Sequence, residues 1–426
     1  MKVIIAGGGF GGLRLARKLN NKPGFEVTLV DRFNYHQFQP LFYQVATAAL
    51  DPSNISFPLR KVFHKSKNVR FRMAELQEIV PGQNKIITSV EDMSYDVLVL
   101  ATGADTNFFG NQRLQEHAFP MKSTLEAMQL RNHLLLNFEH ATIAKDKGDE
   151  DSLQYYRNIV VVGGGPTGVE VSGAIAEMRR SVLPKDYPEL DFSKMNIYLL
   201  EGSPRTLAAM SEKSSKDSKR YLEKMGVIVR TATAVQDYDG RTVTLRSGET
   251  IPAATVIWSA GIKGNIPAGI QPDLIVRGNR LKVDRHNKVE GMPNVYAIGD
   301  MAYMETPKYP KGHPQVAQTS MQQAGTLAKN LVLLNNGQPM EHDFEYHDKG
   351  SMATIGRNLA VVDLPRPKWH FGGIFAWIIW MTLHLMLILG VKNRLFVFFN
   401  WLYNYVTSDQ SLRLILKGPN RRKGEL

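Results

Sequence analysis

Two stretches of this chain share a spelling that few folds tolerate. Gly7-Gly8-Gly9-Phe10-Gly11-Gly12 and Gly163-Gly164-Gly165-Pro166-Thr167-Gly168 both carry glycine at the first, third and sixth places. Their contexts match as well. Residues 1–6 and 158–162 are short runs rich in β-branched side chains and predict strands. Residues 13–19 and 169–178 predict helices, and residues 27–30 and 197–200 predict second strands ending on Asp31 and Glu201. Strand, glycine turn, helix, strand and acid within one βαβ unit is the pattern that cradles a dinucleotide pyrophosphate. Gly7 and Gly163 allow the turn, Gly9 and Gly165 let backbone approach the phosphates, and Gly12 and Gly168 let helix and strand pack closely. The helix start adds free N–H groups and the positive end of its dipole, and the acid can accept from a ribose. One such turn is weak evidence; two in one chain are far more specific. Residues 181–194, with Pro184 and Pro188, predict an insertion that sets Glu201 further downstream than such an acid usually lies.

At 426 residues the chain has room for two or three domains. Residues 33–58 are loop-rich and carry Tyr35, His36, Phe38, Phe42, Tyr43 and Gln44, either an ordinary packed loop or a wall along a flat heterocycle. Residues 69–71, the stretch at Ile79, and residues 86–90 and 95–103 predict strands, the last ending in the small-residue turn Ala101-Thr102-Gly103. Residues 123–144 predict a helix with Ser123 as N-cap and Glu126 completing a capping box, followed by a charged surface connection over 145–151. Residues 227–230 and 242–245 continue the second sheet, 255–261 form a buried strand ending in Ser259-Ala260-Gly261, and 294–300 form a strand that delivers Asp300 to a loop. A helix is predicted over 315–334 and strand character over 344–362, ended by Pro365 and Pro367.

The net charge of +12 suits nucleic acid, an acidic partner or an anionic membrane surface. No zinc-finger spacing or base-reading basic helix occurs, so no nucleic-acid partner is expected. The absence of cysteine excludes disulfides, thiolate metal sites and thiol redox chemistry, and the histidines show no metal-binding spacing, so no metal is expected. The first strand begins at residue 1, which leaves no room for a cleavable signal and places the body on the cytoplasmic side. Composition then shifts sharply. Residues 371–391 contain no Asp, Glu, Lys or Arg and only His384 as an ionisable group, a run long enough to span a bilayer. Residues 392–406 mix aromatic and aliphatic side chains with Lys392 and Arg394, residues 412–416 are apolar around Arg413, and Arg421, Arg422 and Lys423 follow. A spanning anchor, an interfacial anchor and a soluble dimerisation element compete here. Gly372, Gly373, Thr382 and His384 weaken the spanning run, so an anchor lying on an anionic membrane surface is favoured.

With Ala101-Thr102-Gly103, Ala297-Ile298-Gly299-Asp300, Ala317-Gln318 through Gln322 and residues 348–356, the chain resembles the type II, single-subunit, non-proton-pumping NADH:quinone oxidoreductases. These are FAD-dependent flavoproteins with two dinucleotide-binding domains. The resemblance implies an α/β fold with two Rossmann-like domains in a glutathione-reductase-like layout, plus a C-terminal membrane-anchoring helical region. Residues 1–120 and 255–335 would bind FAD, 121–254 NADH, and 336–426 would carry amphipathic helices from about 370. Gly7, Gly9, Phe10, Gly11 and Gly12 would hold the FAD pyrophosphate, with Asp31 and Arg32 near its ribose and Leu76 at the adenine. Gln44, Thr102, Gly103, Asp300, Ala317 and Lys349 complete the implied FAD set. Gly163, Gly165, Thr167, Gly168, Glu170, Glu201, Ala260 and Gly261 would hold NADH. Glu201 repels a 2′-phosphate and favours NADH, while Arg205 keeps some NADPH use open. The resemblance also implies a membrane quinone as acceptor, a monotopic position on the cytoplasmic face of the cell inner membrane, and often a homodimer.

Three side chains are expected to carry the chemistry. Gln318 and Gln322 are four apart, share one helix face and can hold a quinone carbonyl without adding charge; alone such a pair reads as a solvated face, and with Ala317 and the two nucleotide units it reads as a site. Glu170 follows the second turn and either orients nicotinamide and relays protons or simply suits a helix start. Lys349 is a flavin or quinone-wall contact or a surface lysine, and His36, His313 and His347 are read as structural. A sulfide:quinone oxidoreductase would need cysteines, a ferredoxin-type NAD(P)H reductase would not need the apolar C-terminus, and a redox-sensing flavoprotein would not turn over.

Overall fold

The computed structural model describes residues 1–410 and 412–416; the basic group Arg421, Arg422 and Lys423 lies outside them. The chain divides into two compact units, each assembled from three segments. The first comprises Met1–Gln37, Phe57–Asp105 and Ile262–Lys349, and the second Phe38–Ser56, Thr106–Gly261 and Gly350–Leu426.

In the first unit, five parallel strands run in the order Val295–Ala297, Val97–Leu100, Lys2–Ala6, Glu26–Asp31, Val69–Met73. Both faces are covered, so the central strand reads Val3, Ile4, Ile5, Ala6 without polar alternation, each at most 1% exposed. The Phe10–Leu19 helix packs against the Ala317–Asn335 helix at Gly11, where an added Cβ would lie 2.4 Å from Ser320 Oγ. An antiparallel meander of Leu76–Val80, Lys85–Thr88 and Asp92–Ser94 follows the fifth strand.

The second unit repeats the theme with four parallel strands in the order Val227–Arg230, Ile197–Leu200, Ile159–Val162, Thr255–Trp258. The expected strand at 242–245 exists but does not continue this sheet. It is the middle of a separate antiparallel sheet with Val235–Tyr238 and Thr250–Pro252, whose Tyr238, Val243, Leu245 and Ile251 share one core with Val160, Val162, Leu200 and Trp258 of the parallel sheet. The capping box at Ser123 and Glu126 forms as expected at the start of Thr124–Asp146. The expected surface connection over 145–151 is exposed throughout; its ends are helical, since the first helix runs on to Asp146 and Asp149 caps a second, Glu150–Arg157, by accepting from the Ser152 N–H at 3.0 Å.

The strand character over 344–362 resolves into Ser351–Gly356 and Leu359–Pro365, joined at Asn358 (φ 64°), with residues 344–350 outside them. Pro365 and Pro367 do not end the sheet. They flank the turn into a third strand, Lys368–Gly372, where proline costs no ladder hydrogen bond. Two helices follow, Gly373–Leu387 and Val391–Thr407, broken at Ile388 and Gly390 (φ 87°). The apolar run is thus one 15-residue helix, about 22 Å long against roughly 30 Å of bilayer hydrocarbon. Among the described residues no helix is long and apolar enough to cross a membrane.

Candidate functional site

The two glycine turns have the same geometry. Gly7 (φ 112°) and Gly163 (φ 106°) occupy backbone space that L side chains rarely adopt. A Cβ on Gly7 would sit 2.1 Å from the Ala101 carbonyl oxygen, and one on Gly163 would sit 2.6 Å from that of Ser259. A Cβ on Gly12 would meet the Gly7 carbonyl at 1.9 Å and one on Gly168 the Gly163 carbonyl at 1.8 Å. The middle glycines differ in kind: nothing lies within 4 Å of a Cβ on Gly9 or Gly165. Four positions are therefore glycine because protein fills the space, and two are glycine beside open space at a helix N-terminus. That open, N–H-lined space fits a pyrophosphate. Phe10 stands beside the first turn, edge-on to His36, whose Nδ1 lies 3.0 Å from the Gly8 carbonyl oxygen. Thr167 is exposed on the first turn of the second helix.

The acids repeat the parallel. The Asp31 carboxylate accepts from the N–H groups of Gly8 and Phe33 (2.5 and 2.7 Å), and that of Glu201 accepts from Gly164 and Ser203 (2.5 and 2.6 Å). Each acid thus ties its own glycine turn to the loop after its second strand. A carboxylate has further lone pairs to offer a ribose. The 181–194 insertion does not displace Glu201. It packs away as the short helix Leu183–Asp186 and a turn capped by Asp191. Burial raises the Asp31 carboxyl, opposed by those two N–H donors and by Arg32. Arg32 is half-exposed and pairs with Asp105 and Glu75, 3.5 and 3.9 Å away. Arg205 donates to the Ala208 carbonyl at 2.8 Å.

Within the first unit, Gly103 (φ 71°) has open space at its Cβ position. The Thr102 hydroxyl donates to the Asn265 carbonyl at 2.6 Å. Leu76 begins the meander, two residues after Ala74 donates to the Asp31 carbonyl. Asp300 lies in the 3-10 turn Gly299–Met301, held by two glutamines absent from the expected set. Gln323, 1% exposed, accepts from the Gly299 N–H at 2.7 Å, and Gln315 donates to the Asp300 carbonyl at 2.7 Å. Ala317 opens the helix that carries the glutamines. Gln318 accepts from the Lys349 N–H at 3.2 Å. Gln322 makes a two-way pair with His347, accepting from its N–H at 3.0 Å and donating to its carbonyl at 2.9 Å. The expected quinone glutamines thus brace the 347–349 segment.

The second unit holds a cavity that no local pattern announced. Gly173 lets the Pro166–Ser181 helix approach the Ser351–Gly356 strand so closely that a Cβ there would lie 1.6 Å from the Ile355 carbonyl oxygen. That contact brings Glu170 beside Thr354, in a cavity also walled by Tyr43, Trp377, Trp380 and Trp401. The two C-terminal helices line it with Trp377, Trp380 and Met381 on one and Trp401, Asn404 and Tyr405 on the other, and Ala376, Trp380, His384, Val397 and Trp401 are buried. His384 stacks on Trp380 with ring centroids 4.0 Å apart and its Nδ1 lies 2.8 Å from the Trp380 carbonyl oxygen; burial lowers its pKa to about 4. Gln44, expected at FAD, lies in this unit and spends its amide here, donating to the Tyr43 hydroxyl and accepting from Trp401 Nε1, both at 2.7 Å. Burial pushes the Glu170 carboxyl up to about 8, opposed by the Thr354 N–H and the Trp380 side chain. The Trp380 indole N–H is buried beside it without a completed hydrogen bond. Glu170 is thus an acid that keeps its proton near neutrality, in an aromatic enclosure. Ala260 and Gly261 follow the Thr255–Trp258 strand, beside Gly163.

Two cradles of this design define a class. The sequence model of the pyridine nucleotide-disulphide oxidoreductases matches residues 1–324, and that of the NDH2 C-terminal domain matches 348–408. With no cysteine in the chain, the disulphide chemistry of the class name has no residues here. The type II NADH:quinone oxidoreductase NdhA of Mycobacterium tuberculosis is 35% identical over 417 residues, 94% of this chain and 86% of that one. The type II NADH:quinone oxidoreductase of Staphylococcus aureus is 29% identical over 83% of this chain and 87% of its own. The structure of NDH2 from Plasmodium falciparum in complex with NADH shares the fold with a TM-score of 0.87 at 22% identity, covering 98% and 99% of the two chains. The sulfide:quinone oxidoreductase of Aquifex aeolicus shares it at 0.67 and 19% identity, over 92% of each. Within the class, this chain belongs to the type II NADH:quinone oxidoreductases.

Proposed function

We propose that this chain oxidises NADH and reduces a membrane quinone through bound FAD, with the first cradle holding FAD and the second NADH. The observation that carries this reading is the matched pair of turns, each closed by protein at two glycines and open at the third. When bound, FAD supplies the two-electron chemistry, accepting hydride from NADH and delivering the pair to quinone. The protein's own residues bind, orient and handle protons. Gly9 and Gly165 admit the pyrophosphates, and Asp31 and Glu201 take the riboses. A carboxylate at Glu201 repels a 2′-phosphate, and Arg205 is turned to its own loop, so NADH is the preferred donor. Gln323 and Gln315 set Gly299 and Asp300 for the flavin's ribityl chain, while Gln318 and Gln322 fix the segment bearing Lys349 and offer amide groups to a quinone carbonyl. Glu170 holds a proton for the nascent quinol.

The C-terminal helices meet the lipid. Phe375, Ile378 and Met386 on one and Leu395, Phe399 and Val406 on the other are half-exposed or more, on helices too short to span. Such a face lies in the interface plane, with Lys392 and Arg394 near anionic headgroups. The cytoplasmic face of the inner membrane, where NADH is made, is the corresponding location. This apolar face also separates the reading from a reductase of soluble ferredoxin. The test is NADH oxidation by the purified FAD-loaded protein with and without a short-chain quinone. Oxidation that depends on quinone is expected. Negligible oxidation in both conditions would make the chain a nucleotide-binding sensor instead.

A further inference from the structure

NADH + quinone + H⁺ → NAD⁺ + quinol draws one proton from water at every turnover. Glu170 is 9% exposed and enclosed by tryptophans, so that proton needs a way in. The helix that carries Glu170 supplies one. Glu170, Ala174 and Glu177 recur at i, i+4 and i+7 and all line the same cavity, with Arg180 one turn further on. Exposure rises along that face: Glu170 and Ala174 are buried, Glu177 is partly exposed and Arg180 is open to solvent. The two carboxyls are about 10 Å apart by helix rise, and the small Ala174 leaves the wall between them unfilled. Tyr43 lines the same space, and its hydroxyl feels the charge of both acids.

We propose that Glu177 is the proton-entry residue for quinone reduction, taking a proton from water at the open end of the cavity and passing it by way of cavity water and the Tyr43 hydroxyl to Glu170. The proposal rests on Glu170 acting as the donor to the quinol. No group is oxidised or reduced on the way; one proton enters at Glu177 as one leaves Glu170. Glu177 is placed for both states. Burial raises its carboxyl above the ordinary range, while the Arg357 N–H it accepts from and the charges of Arg180 and Arg357 hold it down. Across the cavity stand Tyr405, whose ring lies 4.1 Å under the Arg357 guanidinium, and Asp409, which is paired with Arg413.

A purely structural Glu177 would only pin the turn at Gly356 and Arg357. Glu177→Gln keeps an acceptor for that N–H, so the fold and flavin content should survive; Glu177→Asp is the conservative control. FAD-loaded enzyme reduced anaerobically with NADH is mixed with a short-chain benzoquinone while flavin absorbance and a pH-indicator dye are followed. Glu177→Gln should bleach with NADH at the parent rate. Its return of colour and its proton uptake should slow together by on the order of tenfold, more as pH rises. Imidazolium or formic acid added to the solution should restore the rate, and Glu177→Asp should retain most of it. Return of colour at the parent rate, or a slowing that neither weak acid nor Asp relieves, overturns the entry role. Glu170→Gln is run alongside. If it recovers colour at the parent rate, the donor reading of Glu170 has failed; if it is slow while Glu177→Gln is not, only the entry role has.

Discussion

The glycines of the two turns separate what the fold needs from what the ligands need. A Cβ added to Gly12 or Gly168 would stand 1.9 or 1.8 Å from a carbonyl oxygen, so alanine at either displaces a helix from its sheet. Gly9 and Gly165 face open space. Gly9→Ala should therefore fold with the thermal stability of the FAD-stripped parent yet lose most of its FAD, read as the flavin-to-protein absorbance ratio after purification. Gly165→Ala should keep its FAD and raise KM for NADH by roughly tenfold or more, the scale of about 1.4 kcal/mol of lost phosphate contact. Glu170 carries a different signature. Its carboxyl is ordinary when unfolded and holds its proton up to about pH 8 when folded, so the folded state binds the extra proton between about 4.5 and 8. Its stabilising contribution is complete below the lower value and is lost as pH rises through the upper. The unfolding free energy of the parent, from denaturant titrations, should fall relative to that of Glu170→Gln across that window, by roughly 5 kcal/mol from one proton held over about three and a half pH units. Over the same upper range, quinone reduction by the parent should decline, and Glu170→Gln, slow throughout, should lose that dependence.

At the level of helices, strands and turns, legibility followed the range of the forces involved. The cradles could be read because a positive-φ turn and a close helix–strand approach demand glycine whatever surrounds them. The capping box at Ser123 is equally local. The third sheet was illegible: residues 344–362 read as one stretch of strand character, and only pairing across the turn at Asn358 and around Pro365 divides it. The cavity at Glu170 was illegible for the same reason, since Tyr43, Glu170, Thr354, Trp380 and Trp401 share no sequence neighbourhood. Gln323 escaped notice beside the expected Gln322 because a buried glutamine has no period of its own; the signal was Gly299, whose φ of 77° marks a turn needing a partner. Gln323→Ala leaves a buried N–H unpaired, and should cost about 1–3 kcal/mol and weaken FAD retention in the same preparation. The C-terminal helices make a separate prediction. Phe375→Ser with Phe399→Ser removes two large exposed apolar groups while sparing the buried Trp380 and Trp401. Sedimentation with anionic vesicles should drop at least tenfold, at up to roughly 1.5–3 kcal/mol per ring transferred, with NADH-dependent bleaching unaffected.

For the molecule as a whole, few parts suffice. A repeated βαβ cradle supplies two nucleotide sites, and a third sheet closes over the second helix to enclose Glu170. Two short apolar helices cover that enclosure from one side and present lipid-compatible side chains on the other. On the proposed reading, quinone, insoluble in water, arrives from the lipid that these exposed side chains face, and NADH arrives from water. The most direct test is anaerobic mixing of the purified protein with NADH and then with quinone while flavin absorbance is watched. The flavin band should bleach with NADH, stay bleached without acceptor, and return when quinone is added. A protein that purifies without flavin, or a band that NADH leaves unchanged, would contradict two nucleotide sites serving one flavin.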